Sequence, residues 1–355
     1  MSWETLECRI AALLCEPPLS LQLLGVGRNS RSFRVELNDR SLVAVKWYLQ
    51  GADETSNRLA VEYAAFGLIT EAGLGSVPRP LARDTAWNLG AYSWLEGRTP
   101  LPGEMCEDLL DQFLDFAAGL YRLQNESPNV FALPARGACL TPAAIWTQID
   151  RRLLLLQTAA VSGMLEEPEG LADIGIALAQ FLEGEFLPER ERRAAEFSKR
   201  CRELRRDPCF PLDNSCLTLS PSDFGLHNSL VDVAGRLAFV DFEYFGQDDP
   251  AKMTADFLLH PAMHLSPVLK RHFFDVACRI FSGTGDFAQR VRLLLPAVGL
   301  KWVCILLNEF LPSGLARRRF AMSDKVGTGA LARQLVKARR MLATTAHCNE
   351  ELSPP

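Results

Sequence analysis

No C-x-x-C pair occurs among the ten cysteines of this 355-residue chain. Cys8, Cys15, Cys106, Cys139, Cys201, Cys209, Cys216, Cys278, Cys304 and Cys348 are scattered. That spacing argues against a zinc ribbon or a disulfide framework and suits reduced thiols in the cytosol. Long hydrophobic runs are also missing. The longest, Leu293 to Leu307, is too short for a membrane span and carries Pro296 and Lys301. The opening MSWETLECRIAALL has acids and no basic leader, unlike a secretory signal. Positive charge is not in excess: 38 Lys and Arg face 43 Asp and Glu, a net charge of −5. Neither nucleic acid nor an anionic membrane is therefore an expected partner. No internal repeat and no interleaved basic and aromatic surface is visible. The expectation is a soluble, cytoplasmic protein.

What is present suits a globular fold: 48% hydrophobic and 23% charged residues, on a chain long enough for two lobes with buried cores. Residues 4–15 read as a short helix. LQLLGVGRNS, RSFRVELN and SLVAVKWYL have strand character, with Phe33, Val35 and Leu37 alternating against Ser32, Arg34 and Glu36. Asn38-Asp39 is a turn signal, so an antiparallel meander is predicted. From Glu54 to Ala72 the period becomes helical, and Gly73 and Gly75 end it. Strands follow near Arg79–Asp84 and Leu89–Trp94. Beyond about residue 98 the pattern is mostly helical (104–124, 141–162, 170–186, 187–206, and again from 250), interrupted by a strand-bearing stretch at 216–245. Two domains are expected, 1–98 and 99–355.

The stretch 217–250, LTLSPSDFGLHNSLVDVAGRLAFVDFEYFGQDDP, carries the chemistry. Asp223 and Asn228 stand in Asp-x4-Asn spacing, and an apolar strand, a turn and Asp241 follow. Phosphoryl transfer asks little covalent chemistry of a protein. It needs a carboxylate to orient the acceptor hydroxyl and oxygen ligands to hold magnesium on the phosphates. Taken singly, Asp223 and Asn228 also suit plain turn capping.

The spacing, together with S-D-F-G-L-H-N, V-D-F-E and G-Q-D-D-P, resembles the aminoglycoside phosphotransferase and choline kinase group. The resemblance covers most of residues 20–265. It implies an α+β, bilobal, protein-kinase-like fold with a small antiparallel sheet and one helix in the N-lobe and a mainly helical C-lobe. It also implies Asp223 as catalytic base, Asn228 and Asp241 as Mg²⁺ ligands, and ATP as donor. Asp223-Phe224-Gly225 spells the D-F-G that carries a metal-binding Asp in protein kinases. In that register the catalytic Asp would lie near Asp207, whose fifth follower is Leu212 rather than Asn, so Asp223 is the better base. Relatives usually have His-Gly before this Asp, and this chain has Pro221-Ser222. His227 then reads as a replacement prop, a substrate contact, or a structural histidine.

The nucleotide side is predicted from residues 1–98. Gly25, Gly27, Asn29, Ser30 and Ser32 form a small-residue loop that can cover phosphates or serve as a plain hairpin turn. Lys46 ends an apolar strand as in V-A-I-K, where the alternative is an edge lysine that snorkels to water. Glu62 is its expected partner. Backbone groups from Ser93 to Leu95 are the expected adenine hinge.

Acceptor-side candidates are Glu243, Asp248, Asp249 and the Asn308-Glu309 pair, although Asp248-Asp249-Pro250 equally reads as a helix N-cap. Asp256 reads as structural. His260 and His264 have i,i+4 spacing, but Pro261 and the lack of an acidic partner argue against a metal face. Arg317-Arg318-Arg319 reads as an exposed turn. The expected activity is ATP- and Mg-dependent transfer of a phosphate to the hydroxyl of a sugar, amino sugar or amino alcohol. The rival is a catalytically silent, kinase-like nucleotide binder. A peptide acceptor is disfavoured, because no A-P-E segment follows and helix resumes soon after Asp249.

Overall fold

A computed structural model describes residues 3–26, 29–49, 57–128, 130–164, 171–311 and 328–352. Gly27 and Arg317–Arg319 lie outside the described residues.

The chain enters through α1 (Trp3–Leu14) into three antiparallel strands, β1 (Ser20–Val26), β2 (Ser30–Glu36) and β3 (Leu42–Tyr48). Helix α2 (Arg58–Glu71) follows, then β4 (Pro80–Asp84) and β5 (Leu89–Ser93), and the sheet order is β1-β2-β3-β5-β4. The period of two along β3 sorts its side chains. Val43 and Val45 join Phe33, Val35, Leu6 and Ile10 in a core beneath α1. Lys46 points the other way, to Glu62 of α2. The sheet is thus flanked by two helices, α2 and the expected N-terminal helix α1, whose Leu6 and Ile10 give it an apolar face to bury.

The second lobe is a mainly helical frame around two short antiparallel strand pairs. Its helices are α3 (Glu107–Glu126), α4 (Ala144–Met164), α5 (Leu171–Phe181), α6 (Leu187–Glu203), α7 (Pro250–Leu259), α8 (Pro267–Ile280), α9 (Phe287–Leu306) and α10 (Thr328–His347). Strands β6 (Thr218–Ser220) and β9 (Gly246–Asp248) pair, as do β7 (Ser229–Val231) and β8 (Leu237–Phe239). The Asp223 loop joins β6 to β7 and the Asp241 loop joins β8 to β9, so the pairing holds the two loops side by side. Gly246 is needed there: a Cβ would stand 2.4 Å from the Ala135 backbone nitrogen.

Phenylalanines anchor both loops from below. Phe224 packs on Phe113, Phe239 and Phe257, and Phe242 packs on Phe66 of α2 with centroids 5.1 Å apart. Burying each such ring contributes about 2–3 kcal/mol. The core runs continuously from α2 through these rings into α9.

Helix α9 corrects one expectation. Pro296 does not break it, and the helix runs on to Leu306. It is long and apolar enough to span a membrane but is mostly buried within the lobe. Its Lys301 ends a buried ionic chain. Lys252 Nζ bonds Asp248 Oδ2 at 2.7 Å and Asp256 Oδ2 at 2.9 Å, and Lys301 Nζ reaches Asp256 Oδ1 at 2.6 Å. Two ammonium groups balance two carboxylates, so the interior bears no net charge from the chain. Asp249 caps α7 through the Ala251 amide and meets Arg290 of α9. Removing one member strands a buried charge. Lys252→Met is expected to lower the unfolding free energy by about 3–5 kcal/mol in urea titration. A loss below about 1 kcal/mol would contradict the burial argument.

Candidate active site

Lys46 is the meeting point of the two lobes. Its Nζ donates to Glu62 Oε2 at 2.7 Å and to Asp241 Oδ1 at 2.5 Å. The residue is 9% exposed. Burial alone would lower the ammonium's pKa, but Asp241, Glu62 and Glu243 outweigh it and hold it above its ordinary range. Burial pushes the Glu62 carboxyl up to about 7, with Lys46 pulling the other way. Tyr48, two residues along the same strand face, places its ring 5.0 Å from the Lys46 Nζ and its hydroxyl 2.7 Å from that of Tyr92.

Asp241 sits at φ 67°, in the left-handed region, where its turn aims the carboxylate at Lys46. Across from it, Asp223 follows Ser222, which is also left-handed at φ 69°. This is the position where relatives usually carry glycine. The Ser222 hydroxyl donates to the Arg136 carbonyl at 2.8 Å, and its amide to Ser220 Oγ at 3.0 Å, which holds the turn without one. Asn228 Nδ2 donates to the Asp223 carbonyl at 2.9 Å. Burial pushes the Asp223 carboxyl up, yet hydrogen bonds from His227 and His260 prevail and leave it below the usual carboxylate range. The Asp223 side chain is 38% exposed.

Of the small-residue loop, Ser30 is buried in β2 opposite Tyr48. Gly25 lies at a register shift in β1, with open space where a Cβ would stand. Asn29 reaches across the cleft, its Nδ2 donating to Glu243 Oε1 at 2.6 Å and to the Tyr244 hydroxyl at 2.5 Å. Glu243, an acceptor-side candidate by sequence, is 4% exposed, lies near Arg58 and accepts from Asn29 of the small-residue loop. The carboxylates of Glu62, Asp241 and Glu243 have oxygens within 4.8 Å of one another, and Glu243 Oε2 is buried without a hydrogen bond. These hard oxygen donors, with Asn228 nearby in chain and loop, fit a magnesium ion.

Three further expectations shift. Asp248, an acceptor-side candidate by sequence, is fully buried, accepts from the Cys139 amide and pairs with Lys252, so it braces α7. Ser93 offers no free amide, since its N–H bonds the Arg79 carbonyl and its Oγ accepts from the Arg79 amide. Leu95 lies beyond the strand in irregular, half-buried chain. Glu309 is half-buried and accepts from Gln334 of α10, while Asn308 accepts from Arg152. Sequence reasoning missed Arg58 and Tyr244, and it set His260 aside for want of an acidic partner, which Asp223 supplies at 3.3 Å. Tyr244 alone had a local signal, as the direct neighbour of Glu243.

Residues 20–258 match the model of the phosphotransferase enzyme family. The comparison with curated proteins found no match. Among solved structures, a choline/ethanolamine kinase family protein from Mesorhizobium loti is 19% identical, covering 97% of this chain and 99% of its own, with a TM-score of 0.53. Choline kinase LicA from Streptococcus pneumoniae is 16% identical over 96% and 98%, at 0.57. A spectinomycin phosphotransferase in complex with ADP and spectinomycin is 11% identical over 98% and 99%, at 0.60. At these identities the likeness shows the bilobal kinase-like fold.

Backbone strain at Ser222 is separable from its hydroxyl. Ser222→Ala and Ser222→Gly both lose the bond to Arg136, but only glycine relaxes the left-handed turn. The glycine variant is expected to be more stable than the alanine variant by about 1 kcal/mol in chemical denaturation. Equal stabilities would contradict the strain.

Proposed function

The chain belongs to the phosphotransferase enzyme family and is a small-molecule kinase; on that premise we propose that it moves the γ-phosphate of ATP to a hydroxyl of a sugar, amino sugar or amino alcohol. The observation that carries this is the Lys46 ammonium, shared between Glu62 and Asp241, with Asp223 and Asn228 on the adjoining loop. Residues 1–98 form the nucleotide lobe and 99–355 the catalytic and acceptor lobe.

Lys46 grips the α- and β-phosphates, and Glu62 holds it in place. Gly25, Asn29 and Ser30 cover the phosphates, with Asn29 held by its bond to Glu243, and irregular chain at Leu95 meets adenine. Asp241 and Asn228 would hold Mg²⁺, with Glu243 beside them, and the ion would supply positive charge against that developing on the phosphoryl group. Asp223 keeps its carboxylate ionised through the histidine bonds and orients the acceptor hydroxyl, taking up its proton as the new O–P bond forms and the bond from the γ-phosphorus to the ADP leaving oxygen breaks. Among the described residues both histidines meet Oδ1, which leaves Oδ2 for the hydroxyl. Positioning and electrostatics supply most of the rate. Relatives named for choline, ethanolamine and spectinomycin support an amine-bearing alcohol as acceptor.

Asp223→Asn is expected to lower ATP-dependent phosphorylation of a responding alcohol by about 10²–10⁴-fold while the melting temperature holds. Asp241→Ala should abolish both turnover and the thermal stabilisation given by AMP-PNP with Mg²⁺. The measurement is ADP release across a panel of small alcohols and sugars. Full turnover in either variant would refute the assignment, and binding without turnover across the panel would favour a silent nucleotide binder.

A further inference from the structure

Two imidazoles converge on one oxygen. His227 Nε2 lies 3.1 Å and His260 Nε2 3.3 Å from Asp223 Oδ1, and their rings stack with centroids 4.4 Å apart. The far nitrogen of His260 decides where its proton sits. The Ala262 amide donates to His260 Nδ1 at 3.1 Å, so Nδ1 carries a lone pair and the proton resides on Nε2. His260 Nε2–H therefore donates to Asp223 Oδ1.

The same three side chains also have the spacing of a metal site. A metal-bound His260 would need the reverse arrangement, a bare Nε2 on the ion and a protonated Nδ1 facing an acceptor. The Ala262 N–H faces Nδ1 as a donor, which excludes that arrangement. A hydrogen-bonding clamp is what this geometry builds.

His260 is held as a clamp should be. It ends α7, its side chain is 10% exposed, and the Trp302 ring meets its ring edge to face with centroids 4.5 Å apart. Trp302 follows Lys301, the end of the buried Asp248–Lys252–Asp256–Lys301 chain, so α7 and α9 are locked together beside the histidine.

We propose that His260 is a positioning residue for phosphoryl transfer: it pins Asp223 Oδ1, with His227 as a second donor, so that Oδ2 alone faces the acceptor hydroxyl. This rests on Asp223 being the base. Proline at position 221 removes the histidine that usually leads into this loop, and support arrives from α7 instead.

The test uses the full chain. ADP release from MgATP, with water or a responding alcohol as acceptor, is measured for His260→Ala, His260→Gln and Asp223→Asn, alongside AMP-PNP affinity and melting temperature. His260→Ala is expected to lose about 10–100-fold in kcat with the KM for ATP and the AMP-PNP affinity unchanged. His260→Gln, whose amide N–H can reach Oδ1, should recover to within about fivefold of the parent. Independently of turnover, ¹⁵N-histidine NMR should place the His260 proton on Nε2, and that signal should shift in Asp223→Ala. A His260→Ala variant within about twofold of the parent in kcat, a glutamine variant no better than alanine, or a His260 proton on Nδ1 would each overturn the proposal. So would added Zn²⁺ displacing the Nε2 proton. If Asp223→Asn keeps full turnover, the base assignment fails and the proposal fails with it. Loss in Asp223→Asn without loss in His260→Ala defeats the proposal alone.

Discussion

A single buried ammonium ties the molecule together. Lys46 leaves β3, meets Glu62 on α2, and crosses to Asp241 on a loop 195 residues further along the chain. A buried cation is tolerable only when anions surround it, so the sheet, the helix and the Asp241 loop are each constrained to deliver a carboxylate or the lysine to one point. Asn29 makes a second crossing to Glu243, and Phe66 packs on Phe242 just beneath. Polar and apolar contacts between the lobes thus fall on the same few residues.

On the other side, two antiparallel pairs of three-residue strands do the positioning. Their strands are too short to be stable alone. They persist because Phe224, Phe239 and Phe242 sink into the helical core and because Asp248 and Asp249, at the end of β9 and the start of α7, are neutralised inside it. The Asp223 loop is consequently backed by the aromatic core of the lobe. The left-handed residues Ser222 and Asp241, one on each loop, hold conformations that this packing overdetermines.

Much of this was legible in the sequence wherever a local pattern encodes a one-sided environment. Alternation at Phe33 and Val35 marks a strand with one buried face, and the helical recurrence of Leu59, Phe66 and Ile69 marks α2. The Asp248-Asp249-Pro250 run was legible in part: Asp249 is the helix N-cap that its spacing suggests, whereas the burial of Asp248 shows only once Lys252 is seen beside it. His260 invited pairing with His264 by spacing, yet the helix ends at His260 and His264 lies in a left-handed turn beyond it. Ser93 looked like a hinge donor because pairing of its amide with Arg79 depends on how β4 docks.

The sequence by itself determined the kind of chemistry and the order of the parts, because phosphoryl transfer demands particular functional groups, and a strand or helix imposes fixed spacings on them. Which groups share a site was decided by the tertiary structure. Asn29 with Glu243, and Asp223 with His260, are contacts between distant segments, set by how helices and hairpins dock. Burial then fixed their surroundings, turning Asp248 into a brace and Glu243 toward Asn29, since desolvation depends on every neighbour at once and on no local run of residues.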